Sequence, residues 1–188
     1  IIFMVILQLF FILSTAPSGI IYATASVNIS DISNFSLDST VVQGLQKDQL
    51  LPLLSNSNEL VKVSTVNDTY YISQSLLKDE LKELTNDSKS LVLFYDSPMI
   101  RANMSGEITK VNDIAVRDYN KIFENLSETR PGDKVTIETT EATYNIIADK
   151  NPLNKTKGFI GLGSTLSPVS GFAKIIQDIS SPTKNPFM

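Results

Sequence analysis

The sequence contains no histidine and no cysteine. Without histidine these residues cannot supply a Ser-His-Asp triad, a His-Glu-x-x-His zinc site or an imidazole general base. Without cysteine they form no disulfide, no thiolate nucleophile and no cysteine-ligated metal centre. A metal would have to bind oxygen ligands, and no D-x-[DN]-x-[DN]-G run marks a calcium loop. Basic residues are also few. Sixteen Lys and Arg stand against 20 Asp and Glu, giving a formal net charge of -4. No basic stripe is visible, and an acidic surface repels a phosphate backbone, so nucleic acid is not an expected partner.

Charge is missing altogether from residues 1–23, "IIFMVILQLFFILSTAPSGIIYA". About 20 apolar residues cross a bilayer core, so the span reads as a transmembrane helix or the end of one. Pro17 and Gly19 place a kink or a stop within it. A signal peptide is the rival reading, with "ATA" at 23–25 as a small-residue cleavage site. A buried core helix is the third. The sequence starts on Ile1 inside this apolar run, which reads as a fragment of a longer protein.

What is present suits a folded α+β chain: 188 residues with 42% apolar and 19% charged. Residues 24–58 are rich in Ser, Asn, Asp and Thr and read as a polar connector, with a short helix before Pro52. Residues 59–95 read as a small α+β extension. "ELVKVSTV" and "TYYIS" form a hairpin across Asn67-Asp68. Leu77, Leu81 and Leu84 then recur at i, i+4, i+7 on an amphipathic helix, and "SLVLFY" is a compact strand.

Residues 96–163 carry the densest pattern. Pro98 suits the first position of a helical turn. "GEITKV" and "IAV" are short strands joined by Asn112-Asp113, a pair that tolerates the positive φ of a tight turn. Tyr119, Ile122, Phe123 and Leu126 predict a helix with one buried face. "RPGD" has the order of a type II turn. "KVTIETT" and "TYNIIA" make a second hairpin, and "GFIGLG" is an apolar, glycine-punctuated strand. Residues 164–188 read as a C-terminal linker, leading towards a possible further membrane segment.

Asn-x-Ser/Thr occurs at Asn28, Asn34, Asn67, Asn86, Asn103, Asn125 and Asn154. Average composition would give about two or three in such a length. The density points to an exported, glycosylated surface, against chance in a chain rich in Asn and Ser. Asn125 falls inside the predicted helix beside Phe123 and Leu126, so the acceptor set is the other six. Glu138 and Glu141 resemble an acid/base pair only by proximity; their strand-edge setting makes them solvated surface charges.

The order of elements from 96 to 148 resembles the PDZ-like domains of bacterial and archaeal proteases. Ser97-Pro98-Met99 stands where that family has Ser-Pro-Ala, and Ala102-Asn103-Met104 where it has Ala-Gly-Leu. Gly106-Glu107-Ile108 is a shortened Gly-Asp-x-Ile. Val111-Asn112-Asp113 is the strand-to-turn step, Asp118 to Glu128 the helix, and Arg130-Pro131-Gly132-Asp133-Lys134-Val135 closes the match. The resemblance implies a small, partly open barrel or sandwich with capping helices, binding extended peptides by strand addition. "GFIGLG" is similar to the family's ligand loop. It implies peptide contacts from Gly158, Phe159, Ile160, Gly161 and Leu162, with backbone N–H groups forming an anion nest. A plain apolar strand with glycines at its bends is the alternative.

Taken with the apolar start and polar connector, the chain resembles part of an archaeal site-2-type membrane zinc protease. There a PDZ-like insert lies between groups of membrane segments. The family's zinc motifs are missing here, so no catalytic or metal residue carries over, and zinc is expected only elsewhere in the parent protein. The expectation is a substrate-gating unit on the extracytoplasmic side of a membrane. The alternative is a stand-alone, anchored or secreted, PDZ-like peptide-binding module without catalytic activity.

Overall fold

Alternating apolar residues build most of the strands in the computed structural model, which describes residues 20–87 and 89–163. The fold is α+β, with antiparallel sheets and a few short helices. In chain order the first part contains β1 (Thr24–Asn28), β2 (Ile32–Leu37), β3 (Thr40–Gln43) and α1 (Lys47–Leu53). Then come β4 (Leu60–Thr65), β5 (Thr69–Ser73), α2 (Gln74–Glu83) and β6 (Ser90–Tyr95). Its six strands join in the order β1-β6-β5-β4-β2-β3.

Local chemistry accounts for several of these elements. Val61 and Val63 of β4, and Leu91 and Leu93 of β6, turn inward at a spacing of two, as the pleat requires. Ser73 caps α2, its hydroxyl accepting from the Leu76 N–H at 3.2 Å. Leu77 and Leu81 lie one turn apart on the buried face of α2. With Leu50 and Leu54 they cover the sheet, over a core centred on Phe35, Ile72 and the inward strand residues.

Residues 24–58 are not a connector. Three strands, β1, β2 and β3, lie within them and supply half of the six-stranded sheet. Pro52 also lies inside α1 rather than beyond its end. A seven-residue helix has little ladder to lose, and burial of Leu50 holds it in place.

The second part contains α3 (Pro98–Arg101), β7 (Ile108–Val111), β8 (Ile114–Ala115), α4 (Tyr119–Leu126), β9 (Lys134–Thr139) and β10 (Thr143–Ile147). The short strands β11 (Asp149–Lys150) and β12 (Gly158–Phe159) follow. Four strands join in the order β10-β9-β7-β8, and β11 pairs with β12. Asn112 and Asp113 take φ of 47° and 66°, the left-handed pair of a tight hairpin turn. Asp118 caps α4 by accepting from the Lys121 N–H at 2.9 Å. Met99, Ile108, Val111, Ile122, Val135, Ile137, Ile146, Ile160 and Leu162 form a second core, separate from the first.

The described chain therefore folds around two cores. Residues 20–23 join the second one, with Ile20 and Tyr22 packed against it. They are part of the folded body, whereas the sequence places them in the apolar span. The rest of that span, and the linker from 164, lie outside the described residues. Among the described residues no helix is long and apolar enough to cross a membrane.

Candidate functional site

The segment "GFIGLG" leaves β12 as an ordinary strand and then bends. The Gly158 N–H donates to the Thr129 carbonyl at 2.7 Å, and the Ile160 carbonyl accepts from Met99 N–H at 3.0 Å. Gly161 sits at φ +105°, a region that disfavours side chains. A Cβ there would fall 2.1 Å from Ser97 Oγ, so the position needs glycine for space as well as for backbone angle.

Beyond that bend, residues 21–23 lie antiparallel to residues 161–163, with Tyr22 opposite Leu162. The Ala23 N–H donates to the Gly161 carbonyl and the Gly163 N–H to the Ile21 carbonyl, both at 2.7 Å. These bonds flank Tyr22 and Leu162 rather than joining them. The two are therefore a non-hydrogen-bonded pair, the register that brings opposing Cα atoms closest.

Three further contacts fix the short strand. The Tyr22 hydroxyl donates to the Met104 carbonyl at 2.8 Å. The Ile21 N–H donates to the hydroxyl of Tyr119, the first residue of α4, at 2.8 Å. The Tyr22 ring meets Phe94 of β6 edge-on at 5.6 Å. Burial pushes the Tyr119 phenol up to about 12, although the bond from Ile21 favours the ionised form. Burial also raises the Tyr22 phenol, with a smaller contribution from Tyr144. At neutral pH both hydroxyls keep their protons.

The five residues expected to hold a peptide thus divide. Ile160 and Leu162 point into the second core. Gly161 faces Ser97 and presents its carbonyl to Ala23. The N–H groups of Gly158 and Gly163 are bonded to carbonyls, so neither is open to an anion. Phe159 lines a separate cleft of about 540 Å³ between the two cores, together with Tyr70, Tyr95 and Arg101. Its ring stands edge-on to Tyr95 at 5.8 Å. Arg101 braces that cleft, one nitrogen 2.7 Å from Asp96 and the other bonded to Asp149.

Tyr22 and Tyr119 are the contributors that sequence reasoning missed. Tyr119 is visible only as an apolar helix position, and Tyr22 only as part of an uncharged run. Their hydroxyls matter because of partners 82 residues away for Tyr22 and 98 for Tyr119. No local signal marks them.

Of the sequons, Asn28, Asn67, Asn86, Asn103 and Asn154 are exposed, while Asn34 is half-buried in β2. Asn125 has its Nδ2 buried without a partner. Glu138 pairs with Lys110 at 2.7 Å, and Glu141 accepts from the Ser105 hydroxyl at 2.5 Å. Among the described residues no three His, Cys, Asp or Glu gather as a metal site. In comparisons with known proteins, no family model and no curated sequence matches the chain.

Proposed function

We propose that the chain is the PDZ-like, substrate-gating part of a membrane-embedded site-2-type zinc metalloprotease. Residues 96–163 screen extended peptides by strand addition at the Gly158–Leu162 segment, whose edge around Gly161 and Leu162 is covered by residues 21–23 when no peptide is bound. The reading places this part on the extracytoplasmic face, where the exposed sequons are available to glycan transfer. Its catalytic zinc belongs to other parts of the parent protein.

One observation carries the reading. The extended segment before β1 and the one after β12 are hydrogen-bonded neighbours, the Ala23 N–H donating to the Gly161 carbonyl and the Gly163 N–H to the Ile21 carbonyl, both at 2.7 Å. The 161–163 edge therefore already accepts an extended segment as an added antiparallel strand, which is the mode of docking the reading requires. The order strand, turn, strand, helix, hairpin over 108–147 adds support, because it follows the motif order of the PDZ-like resemblance.

The test is the complete reading frame in lipid vesicles, intact and with residues 20–163 replaced by a short linker. Both forms should cleave membrane-anchored reporters in a zinc-dependent way. The intact form should accept fewer reporters. Equal selectivity of the two forms would count against gating. A reading frame with no His-Glu-x-x-His before the apolar run would replace the protease with an anchored peptide-binding module.

A further inference from the structure

We infer that residues Ile21–Ala23 are a resident ligand of the Gly161–Gly163 strand, and that an external extended peptide with an aromatic residue between small or aliphatic neighbours binds by displacing them. The inference rests on the peptide-docking reading above and specifies its partner.

Four observations converge on this seat. The tripeptide is held by two backbone hydrogen bonds in antiparallel register, as an added strand would be. Its central side chain is recognised twice, by the Met104 carbonyl at the hydroxyl and by Phe94 at the ring. Its flanking residues are Ile and Ala, and the Ala23 side chain is only partly buried. The far side of the tripeptide meets α4 through the Tyr119 hydroxyl, so the seat lies between a strand and a helix end.

The segment is also attached in a way that permits exchange. Its pairing with 161–163 is one isolated bridge, whereas the β1 strand that follows pairs with β6 over five residues. Release of the seat needs to go no further than Tyr22, because the Ala23 carbonyl accepts from the Tyr95 N–H of β6 at 3.1 Å and stays with β1 in its sheet. A competing peptide then meets an affinity reduced by the fraction of molecules with the seat open.

The test uses the full chain in detergent micelles and a fluorescein-labelled peptide, Gly-Ile-Ile-Tyr-Ala-Thr-Ala-Ser, copied from residues 19–26. Tyr22→Ala weakens the resident strand and should bind this probe at least about tenfold more tightly than the parent chain. A probe with Ala in place of Tyr should gain nothing. Tyr22→Cys/Leu162→Cys supplies a second measurement that holds even if Tyr22→Ala folds poorly. A non-hydrogen-bonded pair suits a disulfide, and the parent sequence has no other cysteine. Oxidation should abolish probe binding and reduction should restore it.

Equal binding by the parent, Tyr22→Ala and the oxidised double variant would overturn this inference and leave peptide docking at another edge. No binding by any of them, with circular dichroism showing folded protein, would overturn both the inference and the docking reading.

Discussion

Ser97 lies directly beneath Gly161. Its hydroxyl is buried without a hydrogen-bond partner, and it fills the space where a Cβ on Gly161 would stand. The contact joins the start of α3 to the bend that carries the pairing edge. Gly161→Ala should therefore destabilise the protein by about 2 to 4 kcal/mol, from a strained backbone and an overpacked contact together. Ser97→Ala should be close to neutral, because the hydroxyl it removes is unsatisfied. Urea unfolding of both variants checks the contrast. A large loss in Ser97→Ala would show that the hydroxyl has a partner in solution.

The hairpin between β7 and β8 gives an asymmetric pair of substitutions. Asn112 and Asp113 both have positive φ, and the Asn112 Oδ1 also accepts from the Thr136 N–H at 3.0 Å. Asp113→Gly should stabilise by about 0.5 to 1 kcal/mol by removing left-handed strain. Asn112→Gly should lose about 0.5 to 1.5 kcal/mol through the missing hydrogen bond, offsetting its own backbone gain. Thermal melts of the two variants should shift in opposite directions or by clearly different amounts.

Alkali should loosen the seat around residues 21–23. The Tyr119 phenol is raised by burial to about 12 in the folded protein, against about 10 in an unfolded chain. Above pH 10 the unfolded state loses this proton first, so stability falls with rising pH. The contribution is complete below pH 10 and is lost as pH rises through 12. Tyr119→Phe should flatten that part of the stability–pH curve. Tyrosinate absorbance, followed alongside circular dichroism, reads both events.

Glycan mapping offers an independent check on export. Expression through a glycosylating secretory route should modify exposed acceptors such as Asn28, Asn67 and Asn154. Asn125 should stay bare, because its acceptor nitrogen is buried against the body of the fold. Peptide mass spectrometry distinguishes these sites. Full occupancy at Asn125 would mean that modification precedes folding and that α4 packs differently afterwards.

Much of the second part was legible because its signals are local. Pro98, Asn112-Asp113 and Pro131-Gly132 each act within a few residues, through a fixed φ or a turn. The first part was less legible for a definite reason. In β2 the buried residues are Ile32, Phe35 and Leu37, and the first interval is three rather than two. A register shift between Ile32 and Asn34 inserts the extra residue, so the alternation that reveals a strand is broken. In β1 only Val27 is buried, which leaves almost no apolar pattern to read.

The same division of causes separates what the sequence determined from what the tertiary structure decided. Composition alone ruled histidine and cysteine chemistry out of these residues, and short-range spacing placed the helices and hairpins from 59 to 147. The two cores, the strand character of 24–43 and the seating of Tyr22 against Leu162 came only with the fold. They depend on partners up to 140 positions apart (from 22 to 162), and a pairing over that distance is chosen by the packing of whole sheets rather than by any neighbouring residue.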